Sequence, residues 1–150
     1  MTTHRELDIL GFGPSAISQT NQCFAQNHKT TDQWFKSVRD DFATHRGMWL
    51  STDDRIRQSL LQDLYGRGTV DKLSLERAHS IIFDQYFEDE LDRLMELSQL
   101  GMIELDKDQI RLTEPLGRLL VRVVASVFDK YLPRDAYLKG LSPEQASRVG

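Results

Sequence analysis

Leu7-Asp8-Ile9-Leu10-Gly11-Phe12-Gly13-Pro14-Ser15-Ala16-Ile17-Ser18 is the most telling segment of this 150-residue chain. Its apolar start reads as a buried strand, and its Gly-x-Gly continuation as a loop of the kind that approaches a cofactor. Such a strand needs neighbours to complete its hydrogen-bond ladder, and almost nothing precedes it to supply them. The expectation is therefore that the chain is the end of something larger. Gly11-Phe12-Gly13-Pro14-Ser15-Ala16 also fits G-x-G-x-x-A, the fingerprint of a dinucleotide site. That site requires a long apolar helix next, whereas Ser18-Gln19-Thr20-Asn21-Gln22 follows; a structural turn at a strand end is the plainer alternative.

Around this stretch the composition is ordinary, with 39% hydrophobic and 28% charged residues, enough for one main domain with a small appendage. A formal charge of -4 argues against a general polyanion binder, because affinity for phosphate backbones comes mainly from Lys and Arg. No apolar run approaches the roughly 20 residues that span a bilayer, and Met1 to Glu6 is polar, so the expectation is a cytoplasmic protein with no membrane partner. Cys23 is the single cysteine, which excludes an internal disulfide and a cysteine cluster within one chain. His4, His28, His45 and His79 are scattered, without an HExxH pattern, and no metal ligand is assigned.

Ile17 to Lys29 is polar and aperiodic and reads as a connection. Thr30-Thr31-Asp32-Gln33 gives a capping-box start to a helix carrying Trp34, Phe35, Val38 and Phe42 on one face and ending near His45 to Gly47. Ser51-Thr52-Asp53-Asp54 opens a second helix with Ile56, Leu60, Leu61 and Leu64 together, stopped by Gly66-Arg67-Gly68; Asp53 and Asp54 suit the first turn of a helix better than a catalytic pair. A short extension over Val70 to Leu73, a helix near Ser74 to Ile81 and a longer one from about Asp84 to Leu100 follow, the last stopped by Gly101. Met102 to Leu105 and Gln109 to Leu112 flank Asp106-Lys107-Asp108 as a hairpin. Helix, extension, helix, helix and hairpin together describe a winged helix. Its recognition position carries Asp84, Glu88, Asp89, Glu90, Asp92 and Glu96 against Arg93 alone, so a nucleic-acid partner is disfavoured.

Thr113 caps a further helix with Pro115 in its first turn. Leu116, Leu119, Leu120, Val121, Val123, Val124, Ala125, Val127, Phe128 and Tyr131 leave little polar face, so this helix is expected to be covered on more than one side. A missing domain or a second subunit would supply the cover. Arg134 to Gly150 reads as a polar tail.

Leu7 to Ser18, Phe24-Ala25-Gln26-Asn27, Arg46-Gly47, Leu50-Ser51-Thr52-Asp53-Asp54-Arg55-Ile56-Arg57 and Phe128-Asp129-Lys130-Tyr131-Leu132 resemble, in register, the C-terminal third of oxygen-independent coproporphyrinogen III dehydrogenase (oxidase), a radical S-adenosylmethionine family of haem biosynthesis. A related haem chaperone tends to show Gly-Pro-Gly-Ala-His at the loop, whereas this chain has Pro14-Ser15-Ala16-Ile17-Ser18. Leu64-Tyr65-Gly66-Arg67-Gly68 and Phe24 depart from the family pattern, where a Cys-Asn-Phe-like stretch and a tyrosine are usual.

The resemblance implies an α+β, mainly helical chain. Residues 1–50 would be the last strand, loop and helix of a partial (β/α) barrel, and residues 51–150 a winged-helix-like C-terminal domain. It implies that Gly11, Gly13, Ser15, Ala16 and Ile17 contribute to binding S-adenosylmethionine, the backbone around Ile17 above all. It also implies a four-iron four-sulfur cluster in the whole enzyme, used in oxidative decarboxylation of propionate side chains to vinyl groups. The cluster needs CxxxCxxC, so this chain is expected to carry no catalytic residue and to bind no cofactor alone. Its expected partner is the missing barrel, or a second copy through Leu116 to Tyr131. The alternative function is a standalone interaction module.

Overall fold

The computed structural model describes residues 8–20 and 22–132; the readings made on Met1 to Glu6 and on Arg134 to Gly150 lie outside them. The chain divides into two compact units, Met1–Arg55 and Ile56–Gly150.

In the first unit, β1 (Ile17–Gln19), β2 (Cys23–Asn27) and β3 (Thr44–Trp49) form an open antiparallel sheet in the order β1-β2-β3. Helix α1 (Thr31–Arg39) lies between β2 and β3 in sequence. Ile17 pairs with Gln26 and Gln26 with Arg46, and the register shifts between Gln26 and Asn27. The expected strand at the opening stretch is a single bridge, Ile9 to Gln19. The polar connection expected over 17–29 is instead the β1–β2 hairpin. Its residues alternate too weakly to announce a strand, because most are only half-buried.

Thr30 caps α1 as expected, its side chain accepting from the Gln33 N–H. The helix stops at Arg39 rather than near His45. Asp41 takes φ +86, which no helix accommodates, and the chain then turns into β3.

In the second unit, α2 (Thr52–Arg67, its first turn belonging to the first unit) leads into β4 (Thr69–Asp71), α3 (Lys72–His79), α4 (Phe83–Tyr86), α5 (Glu88–Gln99), β5 (Ile103–Leu105) and β6 (Gln109–Leu112). The three strands make an open antiparallel sheet in the order β4-β6-β5. Asp53 and Asp54 sit in the first turn of α2. Asp54 Oδ2 accepts from the Ser51 N–H at 2.9 Å while Ser51 Oγ accepts from the Asp54 N–H at 3.2 Å, a reciprocal cap. Gly68 and Gly101, at φ +72 and +71, end α2 and α5 where the sequence places the stops.

The long acidic helix expected from Asp84 to Leu100 is broken at Phe87, whose ring is fully buried between Phe83 and Phe128. Two of its acids serve the interior. Glu90 is buried against Arg57, and Asp84 accepts from Lys72 at 3.0 Å.

The apolar run 116–131 is also two short helices, α6 (Leu116–Leu119) and α7 (Val121–Ser126), separated by Leu120 at φ -102. Pro115 precedes α6 rather than standing in its first turn, and Thr113 Oγ1 accepts from the Gly117 N–H. Val123, Val124, Ala125, Val127 and Phe128 are all buried in the core of this unit, so the break lets one unit bury more than one side of the run. That core also takes Ile56, Leu60, Leu64, Val70, Leu94, Leu97 and Ile110. Among the described residues no helix is long and apolar enough to cross a membrane.

Candidate functional site

The loop that the sequence singles out is built on the β1–β2 hairpin. The Ser15 N–H donates to the His28 carbonyl at 2.8 Å, the Asn27 N–H donates to the Ala16 carbonyl at 2.9 Å, and Ser15 adopts a left-handed φ of 59. Among the described residues between Asp8 and Arg55, Asn27 is the one that is buried. Its Nδ2 donates to the Gly13 carbonyl at 3.0 Å and lies 3.4 Å from the Gly11 carbonyl, closing the loop from inside. The Gly11 N–H donates to Ser18 Oγ at 3.0 Å.

Gly11 has no room for a side chain. A Cβ there would lie 2.7 Å from the Ile17 carbonyl oxygen and 2.9 Å from its nitrogen. The glycine spacing thus serves close approach of Gly11 to the Ile17 peptide, while Gly13 supplies a φ of 93. Gly11, Gly13, Ser15, Ala16 and Ile17 are therefore brought together in one loop.

In an antiparallel pair, hydrogen-bonded positions alternate with positions whose main chain points outward. Ala16 bonds Asn27, so Ile17, opposite Gln26, directs its N–H and C=O away from β2. Gln19, two residues on, does the same and spends both groups on Ile9. At Ile17 no such bridge forms among the described residues. One main-chain donor and one acceptor thus stand side by side on this edge, with Gly11 packed against them.

The sheet face above this edge has a second polar feature. Arg46 stands in the same rank as Ile17 and Gln26, and its Nε donates to Gln26 Oε1 at 2.9 Å. Gln26 in turn reaches the Ser15 carbonyl at 3.4 Å. The brace fixes the guanidinium plane and leaves its outer nitrogens for an anionic group. Asn27 and Arg46 carry no local signature; only their match to the family pattern marked them.

Metal chemistry finds less support. Cys23 Sγ lies 3.3 Å from Thr20 Oγ1 beside an open depression of about 400 Å³ lined by Asp8, Thr20, Gln22, Cys23 and Trp49. The rings of His28 and His45, distant in sequence, meet at 4.6 Å across the sheet. Among the described residues no group of three His, Cys, Asp or Glu side chains is placed to hold a metal ion. A cluster requiring three thiolates does not fit a chain with one cysteine.

No family model matches the chain. It is 34% identical over 142 residues to the oxygen-independent coproporphyrinogen III oxidase of Escherichia coli, covering 94% of this chain and 31% of that protein. The oxidase of the same name from Pseudomonas aeruginosa is 35% identical over 149 residues, 99% of this chain and 31% of the relative. That of Synechocystis is 36% identical over 136 residues, with coverages of 87% and 29%. Among solved structures, coproporphyrinogen III oxidase (HemN) from Escherichia coli, described as a radical SAM enzyme, matches with a TM-score of 0.81 at 36% identity, covering 87% of this chain and 30% of that one. The chain thus spans about a third of the length of the relatives it matches, and over that third it is the counterpart of one region of proteins named oxygen-independent coproporphyrinogen III oxidase.

Proposed function

We propose that this chain is the C-terminal region of an oxygen-independent coproporphyrinogen III dehydrogenase, contributing to the S-adenosylmethionine site and leaving the cluster chemistry to the rest of the enzyme. The observation that carries this reading is one of extent: 94% of the chain aligns to 31% of the Escherichia coli relative, and the three-cysteine cluster motif has no counterpart here. When bound, S-adenosylmethionine would supply the radical that starts oxidative decarboxylation of a propionate side chain.

The part of the present residues is binding and orientation. The Ile17 N–H and C=O read an adenine edge, and Gly11, by lacking a Cβ, lets the opening stretch pack closely against the Ile17 peptide. Ser15 and Ala16 hold the turn, locked by Asn27. Arg46, braced by Gln26, offers a guanidinium to a ligand carboxylate on the same face.

The finer fold assignment belongs to the same proposal. The order α2, β4, α3, α4, α5, β5, β6 and the strand order β4-β6-β5 support a winged helix from Ile56 onward. The opening stretch is read as a barrel strand whose ladder partners lie in the matched relatives' remaining length.

The test replaces the aligned segment of the Escherichia coli oxidase with this chain and assays vinyl product from coproporphyrinogen III without oxygen. Product formation, lost on Ile17→Pro because the main-chain donor goes, is the expected result. A chimera that folds and holds its cluster yet yields no product refutes the proposal.

A further inference from the structure

We propose that Arg46 pairs with a propionate carboxylate of the porphyrinogen substrate, and that the sheet face around it, with Ile17, Phe24 and Met48, carries the macrocycle. The assignment rests on the reading that the chain works within such an enzyme, and it gives to the substrate a guanidinium that the carboxylate of either ligand would otherwise suit.

The pairing register builds the face. Ile17, Gln26 and Arg46 stand in one rank across β1, β2 and β3, and Gln19, Phe24 and Met48 in the rank two residues along. Side chains alternate between faces along a strand, so these six share a face, while Ser18, Ala25 and Gly47 of the intervening rank belong to the other. Strands about 4.8 Å apart and two residues of about 3.4 Å rise make a patch of about 10 by 7 Å. Ile17 is 54% and Met48 48% exposed, and Phe24 is half-buried on the middle strand, so the patch offers apolar area to a ligand. Among the six, Arg46 is the one charged side chain. Among the described residues it bonds the neutral Gln26, at 2.9 Å, and no carboxylate, so its charge lacks a counter-ion within the protein. A ligand that satisfies both features is an anion with a broad apolar body.

Position separates the two candidate ligands. The Ile17 N–H and C=O point away from β2, so an adenine held there lies off the edge of β1. Arg46 stands on the opposite side of β2, two strand spacings or about 10 Å from β1. The face at Arg46 is wider than the amino-acid end of S-adenosylmethionine, and apolar where that end is charged. A porphyrinogen, an apolar macrocycle fringed with carboxylates, matches it. Ile17 then stands between the two ligands, its main chain toward one and its side chain toward the other.

The experiment measures binding of coproporphyrinogen III and, separately, of S-adenosylmethionine to the Escherichia coli chimera described above, without oxygen. Arg46→Gln is expected to weaken coproporphyrinogen III binding by about tenfold or more. Arg46→Lys should recover part of that loss, because the charge stays and the planar fork goes. Met48→Glu, which sets an anion on the same face, should also weaken it, and S-adenosylmethionine affinity should stay unchanged in all three. Arg46→Gln that weakens S-adenosylmethionine and spares coproporphyrinogen III gives the guanidinium to the cofactor and overturns the proposal. Equal weakening of both ligands overturns it too, since Arg46 would then serve the sheet alone, and Met48→Glu without effect overturns the part given to the face. Should the parent chimera fail to fold, quenching of coproporphyrin III fluorescence by the 150-residue chain decides. Quenching lost with Arg46→Gln and reduced by salt supports the pair; no quenching, or equal quenching by both chains, overturns it. A chimera that binds coproporphyrinogen III through Arg46 yet forms no product sinks the proposed function and leaves this site standing. Product formation with a KM indifferent to Arg46→Gln does the reverse.

Discussion

Asn27 holds the Gly11–Ala16 loop through one amide group aimed at two carbonyls. Asn27→Ala leaves the Gly13 carbonyl without its donor and is expected to cost about 1–3 kcal/mol at the loop. The check is chemical-shift change confined to residues 11–17. Gly11 and Gly13 were legible in the sequence because a tight approach and a positive φ select glycine locally. Asn27 and Arg46 were not, because their roles depend on pairing with residues 14 and 20 positions away. Tyr65, where this chain departs from the family's Cys-Asn-Phe-like stretch, makes a separate residue-scale prediction. Burial pushes its phenol above the ordinary value of 10.0, Arg122 pulls the other way and Asp129 adds to the rise. The folded state therefore holds that proton more tightly than the unfolded chain does. Stability is intact below the unfolded value and falls as pH climbs through the folded one. Urea midpoints from about pH 9 to about pH 11 should decline less for Tyr65→Phe than for the parent.

Among the elements, α2 was the most legible, because its cap, its apolar spacing and its glycine stop agree. The sheet of the first unit was least legible. A strand announces itself through one buried face, and β3 has none. The segments 84–100 and 116–131 read as continuous helices because periodicity does not register a break made by tertiary packing, such as the buried ring of Phe87. What holds α2, α5 and the segment after α7 together is Arg57. Its Nη1 donates to Glu90 Oε1 at 2.8 Å and to the Phe128 carbonyl at 2.9 Å, and its guanidinium lies over the Phe87 ring at 5.3 Å. Arg57→Ala removes all three contacts and leaves the buried Glu90 carboxylate with only Arg93 Nη2 at 3.8 Å, with an expected loss of about 3 kcal/mol by urea unfolding. Arg57→Ala combined with Glu90→Gln should recover part of that loss, because the poorly paired charge is gone. A double variant no more stable than Arg57→Ala would mean that packing on Phe87, not charge, is what Arg57 supplies.

At the scale of the whole molecule the two units are unequal. Among the described residues every buried apolar one lies at Ile56 or beyond, so the hydrophobic contribution to stability that they make belongs to the second unit. The first unit rests on ladder hydrogen bonds and on Asn27. Such bonds contribute only about 1 kcal/mol each net of water, and they must offset a comparable backbone entropy per ordered residue. Opening of β1, β2 and β3 should therefore be cheap and separate from global unfolding. Native-state hydrogen exchange tests this directly. Amides of α5, β5 and β6 are expected to exchange only through the global transition, insensitive to low denaturant until the main unfolding begins. Amides of β2 should exchange orders of magnitude faster, with little denaturant dependence, since little surface is exposed when the sheet opens. Uniform protection across both units would mean that the first unit has a cover within the 150-residue protein. If α1 slows only in the chimera, the stability of this segment is conferred by the polypeptide it docks against, and the Gly11–Ser18 loop becomes rigid enough to hold a ligand only when that surface is in place.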